Sequence, residues 1–239
     1  MTDPIRKPSA EFDAYATDYE QMVQGAIGAS GESVQFFAAL KARLMRRALA
    51  TEQPRRILDF GCGVGNATRE LARCFPTAEI VGVDPSSESL EIAKRRYAAS
   101  GDNIAFRQSE PAKISAADGA FDAAFVSGVF HHIEPADRVG VARELHRVLA
   151  PGAPLFISEH NPYNPLTRHV VRNVPFDEGV VLLRPPDARA VLEKAGFIAE
   201  SANYYFFFPA LLRALRPLER FLTRLPLGGQ YFMIGRTPT

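Results

Sequence analysis

Apolar residues recur along this chain in two rhythms. Between Arg55 and Ser158 short apolar runs alternate with stretches whose apolar positions fall three and four apart, the pattern that folds into a parallel sheet covered by helices. RILDF, EIVGVD, NIAFRQ, FDAAFVSG and PLFISEH are the predicted strands. The spacing predicts helices over Asn66 to Cys74, Ser87 to Ala99 (ending near Gly101) and Arg138 to Leu149, the last closed by a Pro151-Gly152 turn. Upstream, Glu32 to Leu49 reads as an amphipathic helix with Val34, Phe37, Leu40, Leu44 and Ala48 on one side, after a glycine-bearing loop over Gly25 to Gly31. Downstream, the prolines of NPYNPLTRHVVRNVPFDEGVVLLRPP argue against a long helix, and a short helix from Asp187 to Ala195 stops at Gly196. SANYYFFF and QYFMIGR are two final strands, joined by a helical insertion, PALLRALRPLERFLTRLPLGG, kinked at Pro217.

Composition narrows the class. A chain of 239 residues suits one α/β domain: an N-terminal cap and helix over 1–50, a core over 55–160, and insertions at 160–186 and 209–229. With 46% hydrophobic residues and a formal charge of +1, neither disorder nor non-specific nucleic-acid binding is indicated. Cys62 and Cys74 have no metal-ligand spacing, so no metal is expected, and their low number fits a reducing cytoplasm. The N-terminus lacks the apolar core of a signal peptide, and no run reaches the roughly 20 apolar residues that span a bilayer, so a soluble cytoplasmic protein is expected.

The candidate chemistry starts in ILDFGCGVGNAT. Asp59 closes a buried strand, and Gly61, Gly63 and Gly65 let the backbone turn tightly and approach a ligand before the next helix. Asn66 stands where a dinucleotide fingerprint has its third glycine, which weakens a nicotinamide reading. The plainer reading is a sharp strand-to-helix connection. Asp84 ends EIVGVD about twenty residues on, where a carboxylate accepts hydrogen bonds from both hydroxyls of a ribose. It equally suits a helix N-terminus, given the Pro85-Ser86-Ser87 that follows.

The series ILDFGCGVGNAT, IVGVDPS, FRQSEPAKI, FDAAFVSGVFHHI and LHRVLAPGAPLFISEH, over residues 55 to 160, resembles the ordered motifs of class I S-adenosylmethionine-dependent methyltransferases acting on small molecules. The resemblance implies a Rossmann-like sheet in the order 3-2-1-4-5-7-6, its last strand antiparallel, with helices on both faces, and S-adenosylmethionine as methyl donor. It implies that Asp59 and the turn Gly61, Cys62, Gly63, Gly65 and Asn66 hold the amino-acid end of the cofactor, and that Asp84 and Pro85 hold its ribose. Ser109, Glu110 and Pro111 would border the adenine, with Ser109 where the family often has glycine. Ser127, Gly128 and Val129 would pass beneath the sulfonium, and Tyr15 or Tyr19 would close over the methionine end.

His131 and His132 follow at once, and either can accept a proton as a hydroxyl or amine is methylated, or brace the loop instead. Three irregular segments lie on the ligand side, and His160, Tyr163, Asn164, Arg168 and Tyr204 are the candidate acceptor contacts. NPYN at Asn161 is a decoy for the amide-methylating Asn-Pro-Pro-Tyr motif, which follows the fourth strand rather than the fifth. The insertion, with leucines against Arg213, Arg216, Arg220 and Arg224, can pack on the core, cover a lipid-like or aromatic acceptor, or touch an anionic membrane through 209–225. The rival readings are a nicotinamide-dependent oxidoreductase and a non-catalytic adenosylmethionine-binding protein.

Overall fold

The computed structural model describes residues 19–97, 103–174 and 179–239. Five strands, β1 (Arg56–Phe60), β2 (Glu79–Asp84), β3 (Ile104–Gln108), β4 (Ala123–Ser127) and β5 (Pro154–His160), lie parallel in the order β3-β2-β1-β4-β5. The last long strand, β8 (Gln230–Arg236), runs antiparallel to β5 along its whole length, and β6 (Ile198–Ala199) and β7 (Asn203–Tyr205) pair with its other edge. This is the order implied by the resemblance. The one difference is that the penultimate strand is split, so that SANYYFFF contributes only Asn203–Tyr205 and β6 was not foreseen.

Side-chain alternation divides the core into two layers. Leu58, Phe60, Val126, Leu155 and Ile157 face α5 (Arg138–Val148) and α7 (Pro185–Lys194), which close that side with Val141, Leu145, Ala188 and Leu192. Ile57, Ile80, Phe125 and Phe156 face the other way, onto α2 (Val34–Ala48) and α3 (Asn66–Cys74). Burying a large apolar side chain of this kind contributes about 1.5–3 kcal/mol. Asp59, one residue past Leu58, therefore points to the α2–α3 side, as does Ser127.

Helix α4 (Ser87–Tyr97) follows β2, and its expected end near Gly101 lies outside the described residues. Three expectations are corrected. Residues 25–31 are mostly helix, with α1 (Tyr19–Ile27) running into a 3₁₀ turn at Gly28–Ser30. Helix α2 is capped by Ser33, whose hydroxyl accepts from Phe36 N–H, and it buries Ala38, Ala42 and Met45; Val34, Phe37, Leu40 and Leu44 are only half-buried and Ala48 is exposed. Small residues at that contact let α2 settle closely against α3, so size rather than hydropathy set the face. After β5, in line with the expectation of no long helix, comes the eight-residue α6 (Pro165–Arg172), which Pro165 can open because its missing N–H costs nothing in the first turn. The insertion is a series of 3₁₀ turns over Ala210–Phe221 broken at Leu212, not an α-helix kinked at Pro217, and none of its residues is buried. Of the three readings of this segment, packing on the core with its apolar side inward is the one that fails.

Candidate functional site

The carboxyl ends of β1, β2, β4 and β5 converge, and the backbone there is set by glycine. Gly61, Gly63 and Gly65 all have positive φ (72°, 51° and 84°), a region L side chains enter only at a cost. Gly61 and Cys62 N–H both donate to Val83 O, which folds the loop back over β2. Asp84 completes the turn: its carboxylate accepts from Gly63 N–H at 2.8 Å and from Ser86 N–H at 2.9 Å. A Cβ added at Gly63 would meet nothing within 4 Å, so the turn presents open backbone toward the sheet end.

Beneath it Asp59 is almost completely buried, accepting a 2.6 Å hydrogen bond from Thr68 Oγ1. Burial pushes its carboxyl up to about 7, with the charge of Asp84 adding to the effect and the Thr68 hydroxyl opposing it.

The neighbouring strand ends carry a second cluster. Glu159, inside β5, is buried; Oε1 accepts from Val129 and Phe130 N–H at 3.1 and 2.9 Å, and Oε2 lies 2.6 Å from His131 Nδ1. Burial raises the Glu159 carboxyl, but the charge and hydrogen bond of His131, with help from His160 and Phe130 N–H, overcome it and hold the group below the usual carboxylate range. An ionised Glu159 makes Nδ1 of His131 the donor, so the basic position of that ring is Nε2. The His132 and His160 rings stand 4.1 and 5.2 Å from the His131 ring, centroid to centroid. From α2, Lys41 donates to Ser127 Oγ at 2.8 Å, and burial lowers its ammonium to about 8 against the pull of Glu159.

Residues 57–152 match the family model described as "Methyltransferase domain". That stretch is a methyltransferase domain, and the fold around it is that of class I S-adenosylmethionine-dependent methyltransferases. The chain is 37% identical over 130 residues to a demethylmenaquinone methyltransferase of Thermus thermophilus, a match covering 54% of this chain and 58% of that protein. A malonyl-[acyl-carrier protein] O-methyltransferase of Legionella pneumophila is 36% identical over 149 residues, 59% of this chain and 45% of that one. The chain thus spans roughly half the length of these curated relatives. Among solved structures, a SAM-dependent methyltransferase of Thermotoga maritima, described as a possible histamine N-methyltransferase, superposes with a TM-score of 0.66 at 19% identity, covering 95% of this chain and 98% of that one.

The methyltransferase domain gathers most of the residues singled out from the motifs. Asp59, the glycine turn, Asp84, Ser127, Gly128 and Val129 share one end of the sheet, and Val129 lies so close over Gly61 that a Cβ there would approach Val129 Cγ2 to 2.5 Å. Ser109, buried, donates its N–H to Asp84 O, while Glu110 and Pro111 are exposed beside it. Cys62 turns its thiol into the core against Gly82, and Asn66 turns its side chain to Arg96 and Tyr97 of α4, so both can reach a ligand only through backbone. Tyr15 lies outside the described residues, and Tyr19 opens α1.

The acceptor candidates are more scattered. His160 stands beside His131, but Asn164 caps α6 by accepting from Leu166 and Thr167 N–H and donates to Leu227 O. Tyr163 and Arg168 are exposed at the start of α6, and Tyr204 is buried in β7.

Motif reading passed over Glu159, Lys41 and Thr68. A carboxylate inside the apolar run PLFISEH was the available sign of the first. Lys41, a turn from Ala38 and Met45 on the buried side of α2, is visible only once that side is correctly placed.

Proposed function

We propose that this chain transfers the methyl group of S-adenosylmethionine to an oxygen, nitrogen or carbon of a small aromatic or lipid-like acceptor by direct displacement. The observation that carries the reading is the buried Glu159–His131 pair at the end of β4 and β5, beside the glycine turn. The cofactor supplies an electrophilic methyl group on a sulfonium. Asp59 would hold its ammonium and Asp84 its ribose hydroxyls, with Gly61 to Gly65 lending open backbone between them. The His131–His132 pair would take the proton that the acceptor loses as it is methylated. Glu159 acts as a positioning residue that fixes the tautomer of His131 and stabilises the imidazolium. Proton acceptance by a placed histidine is worth about 10²–10⁴ in rate.

An apolar wall supports the acceptor class. Phe37, one helical turn before Lys41, meets Phe206 edge-on with centroids 4.7 Å apart, and Phe36 adds a third ring at 5.5 Å from Phe37. Phe206 is the one described non-glycine residue with positive φ (59°), and such strain concentrates where a site is built.

The test is calorimetric titration with S-adenosylmethionine, S-adenosylhomocysteine and NADH, followed by transfer of labelled methyl to phenols, amines and carboxylic acids of increasing chain length. Binding of the first two ligands and turnover that rises with the apolar size of the acceptor are expected. Binding of NADH alone would overturn the reading, and turnover confined to short polar acceptors would overturn the acceptor class.

A further inference from the structure

The insertion between β7 and β8 is built inside out. In a segment packed on its own core, apolar side chains turn inward and charges outward. Here Glu219 is turned in: its carboxylate accepts from Phe206, Phe207 and Phe208 N–H, all at 3.0–3.1 Å. Arg216 is turned in as well, donating to Phe208 O, pairing with Glu32 at 2.5 Å and lying over the rings of Phe36 and Phe206. The apolar residues go the other way. Leu211 is 93% exposed and Phe221 71%, and Leu215, Leu218, Leu225 and Leu227 are also exposed.

This outward face is held in place. At one end Ala210 abuts Gly31. At the other, buried Asn161 donates to Pro226 O and Gly228 O, Asn164 donates to Leu227 O, and Gly228 presses on the Tyr205 backbone so closely that a Cβ would come within 2.6 Å of its carbonyl oxygen. The contact with α6 extends the patch to Leu166, itself 61% exposed, with Arg168 and Arg172 exposed on the same helix.

Charge decides what covers it. With Arg216 and Glu219 paired internally, the charges left on the outer side are Arg213, Arg220 and Arg224, all exposed and interleaved with the leucines rather than ringed around them. Guanidinium groups hydrogen-bond phosphate in a fork and can lift their heads to a lipid headgroup while their stems and the neighbouring leucines stay in the acyl region. A ridge of protruding leucines suits a fluid surface, whereas a protein partner needs a matched cavity for each. Among the described residues no helix is long and apolar enough to cross a membrane, so contact would be peripheral.

We infer that residues 211–227 dock this protein onto an anionic bilayer surface, Leu211, Phe221 and Leu227 entering the headgroup layer and Arg213, Arg220 and Arg224 binding lipid phosphates. The inference does not depend on which acceptor is methylated. The test is flotation of the full chain with vesicles of phosphatidylcholine alone and of phosphatidylcholine mixed with phosphatidylglycerol, at low and high salt. The protein is expected to float with the anionic vesicles and to be released by salt. The triple variant L211E/F221E/L227E is expected to lose at least about tenfold in vesicle affinity, and each of R213Q, R220Q and R224Q roughly fivefold. All should keep the wild-type melting temperature and S-adenosylmethionine affinity, which separates loss of docking from loss of fold or of the cofactor site. Wild-type protein that stays in the soluble fraction with anionic vesicles at low salt would overturn the inference. So would equal flotation of the triple variant, or a stable dimer in analytical ultracentrifugation that this variant dissolves while no vesicle is bound, which would assign the patch to a second copy of the chain.

Discussion

The glycine turn after β1 and the insertion before β8 are both short irregular segments pinned by a carboxylate that collects backbone N–H groups, yet they end with opposite surfaces. Asp84 gathers two N–H groups and leaves open polar backbone facing the sheet end. Glu219 gathers three and leaves a row of leucines facing solvent. The difference lies in what the pinned backbone displays: glycines display amides, and a leucine-rich stretch whose polar anchors are used up internally displays hydrocarbon. A carboxylate on a backbone nest is thus a structural device in both places, and on the proposed reading Asp84 binds the ribose as well.

The sharpest way to break that parallel is to remove each carboxylate in turn. Asp84→Ala takes away the partner of Gly63 and Ser86 N–H together with the proposed acceptor for the ribose hydroxyls. S-adenosylmethionine affinity should fall at least a hundredfold, about 3 kcal/mol or more, in a calorimetric titration. The distant Glu219→Ala should leave that affinity within about threefold. If Asp84→Ala binds nearly as well as wild type, Asp84 only clamps the turn.

Two other carboxylates in the cofactor half carry opposite pH signatures. Glu159 has a folded pKa below its unfolded value of about 4.3, so its pairing with His131 stabilises the fold fully above that value and is lost as pH falls through the lower folded one. Glu159→Gln should cost about 3 kcal/mol at pH 7 and flatten the acid side of the urea-denaturation profile. Asp59 is the reverse. Its pKa, raised by burial to about 7, means that the unfolded chain gives up the proton first, so ligand-free stability falls between about pH 4 and 7. Asp59→Asn should remove that decline and raise the ligand-free melting temperature at pH 8 while weakening S-adenosylmethionine binding. A parallel loss of stability and affinity would mean that Asp59 is a structural acid.

The two regions also differ in how far the chain announced them. The turn after β1 was legible because glycine spacing dictates backbone directly, and the strands before and after it are apolar runs with a single reading. β1, β2, β5 and α3 fall on their expected residues for that reason. The insertion was not legible, since leucines and arginines at helical spacing look the same whichever side faces in. Its orientation depends on Glu219 finding the Phe206–Phe208 amides, a contact that becomes possible only after β7 has ended with Phe206 in a left-handed conformation. Helix α2 failed for a related reason: its buried residues include two alanines, which hydropathy ranks below the leucines and phenylalanine beside them. Glu159 and Lys41 acquire their chemistry from strands and helices that only the folded chain brings together.

Glu219→Ala is also the next effect in size within the insertion itself. Three half-buried N–H groups would lose their acceptor, at a local cost of about 2 kcal/mol, and the outward leucines would be free to collapse inward. Hydrogen exchange should speed up at Phe206, Phe207 and Phe208, with protection of β1 and β2 unchanged. Unchanged exchange at those three amides would remove the carboxylate from its pinning role and with it the contrast with Asp84.

The smallest effect asks whether the glycine turn is open for a ligand or only for geometry. At Gly61 an alanine would bring both a positive φ and a collision with Val129. At Gly63 it would bring the positive φ alone, because nothing stands within 4 Å of the added carbon. Gly63→Ala should therefore cost only about 1 kcal/mol, a melting-temperature drop of about 2–4 °C for a chain of this size, and less than Gly61→Ala. If the space above Gly63 is where the cofactor lies, its added methyl also meets the ligand, and S-adenosylmethionine affinity should fall by more than the stability does. Equal losses in the two measurements would mean that the turn at Gly63 serves the backbone alone and that the ligand passes elsewhere along the sheet end.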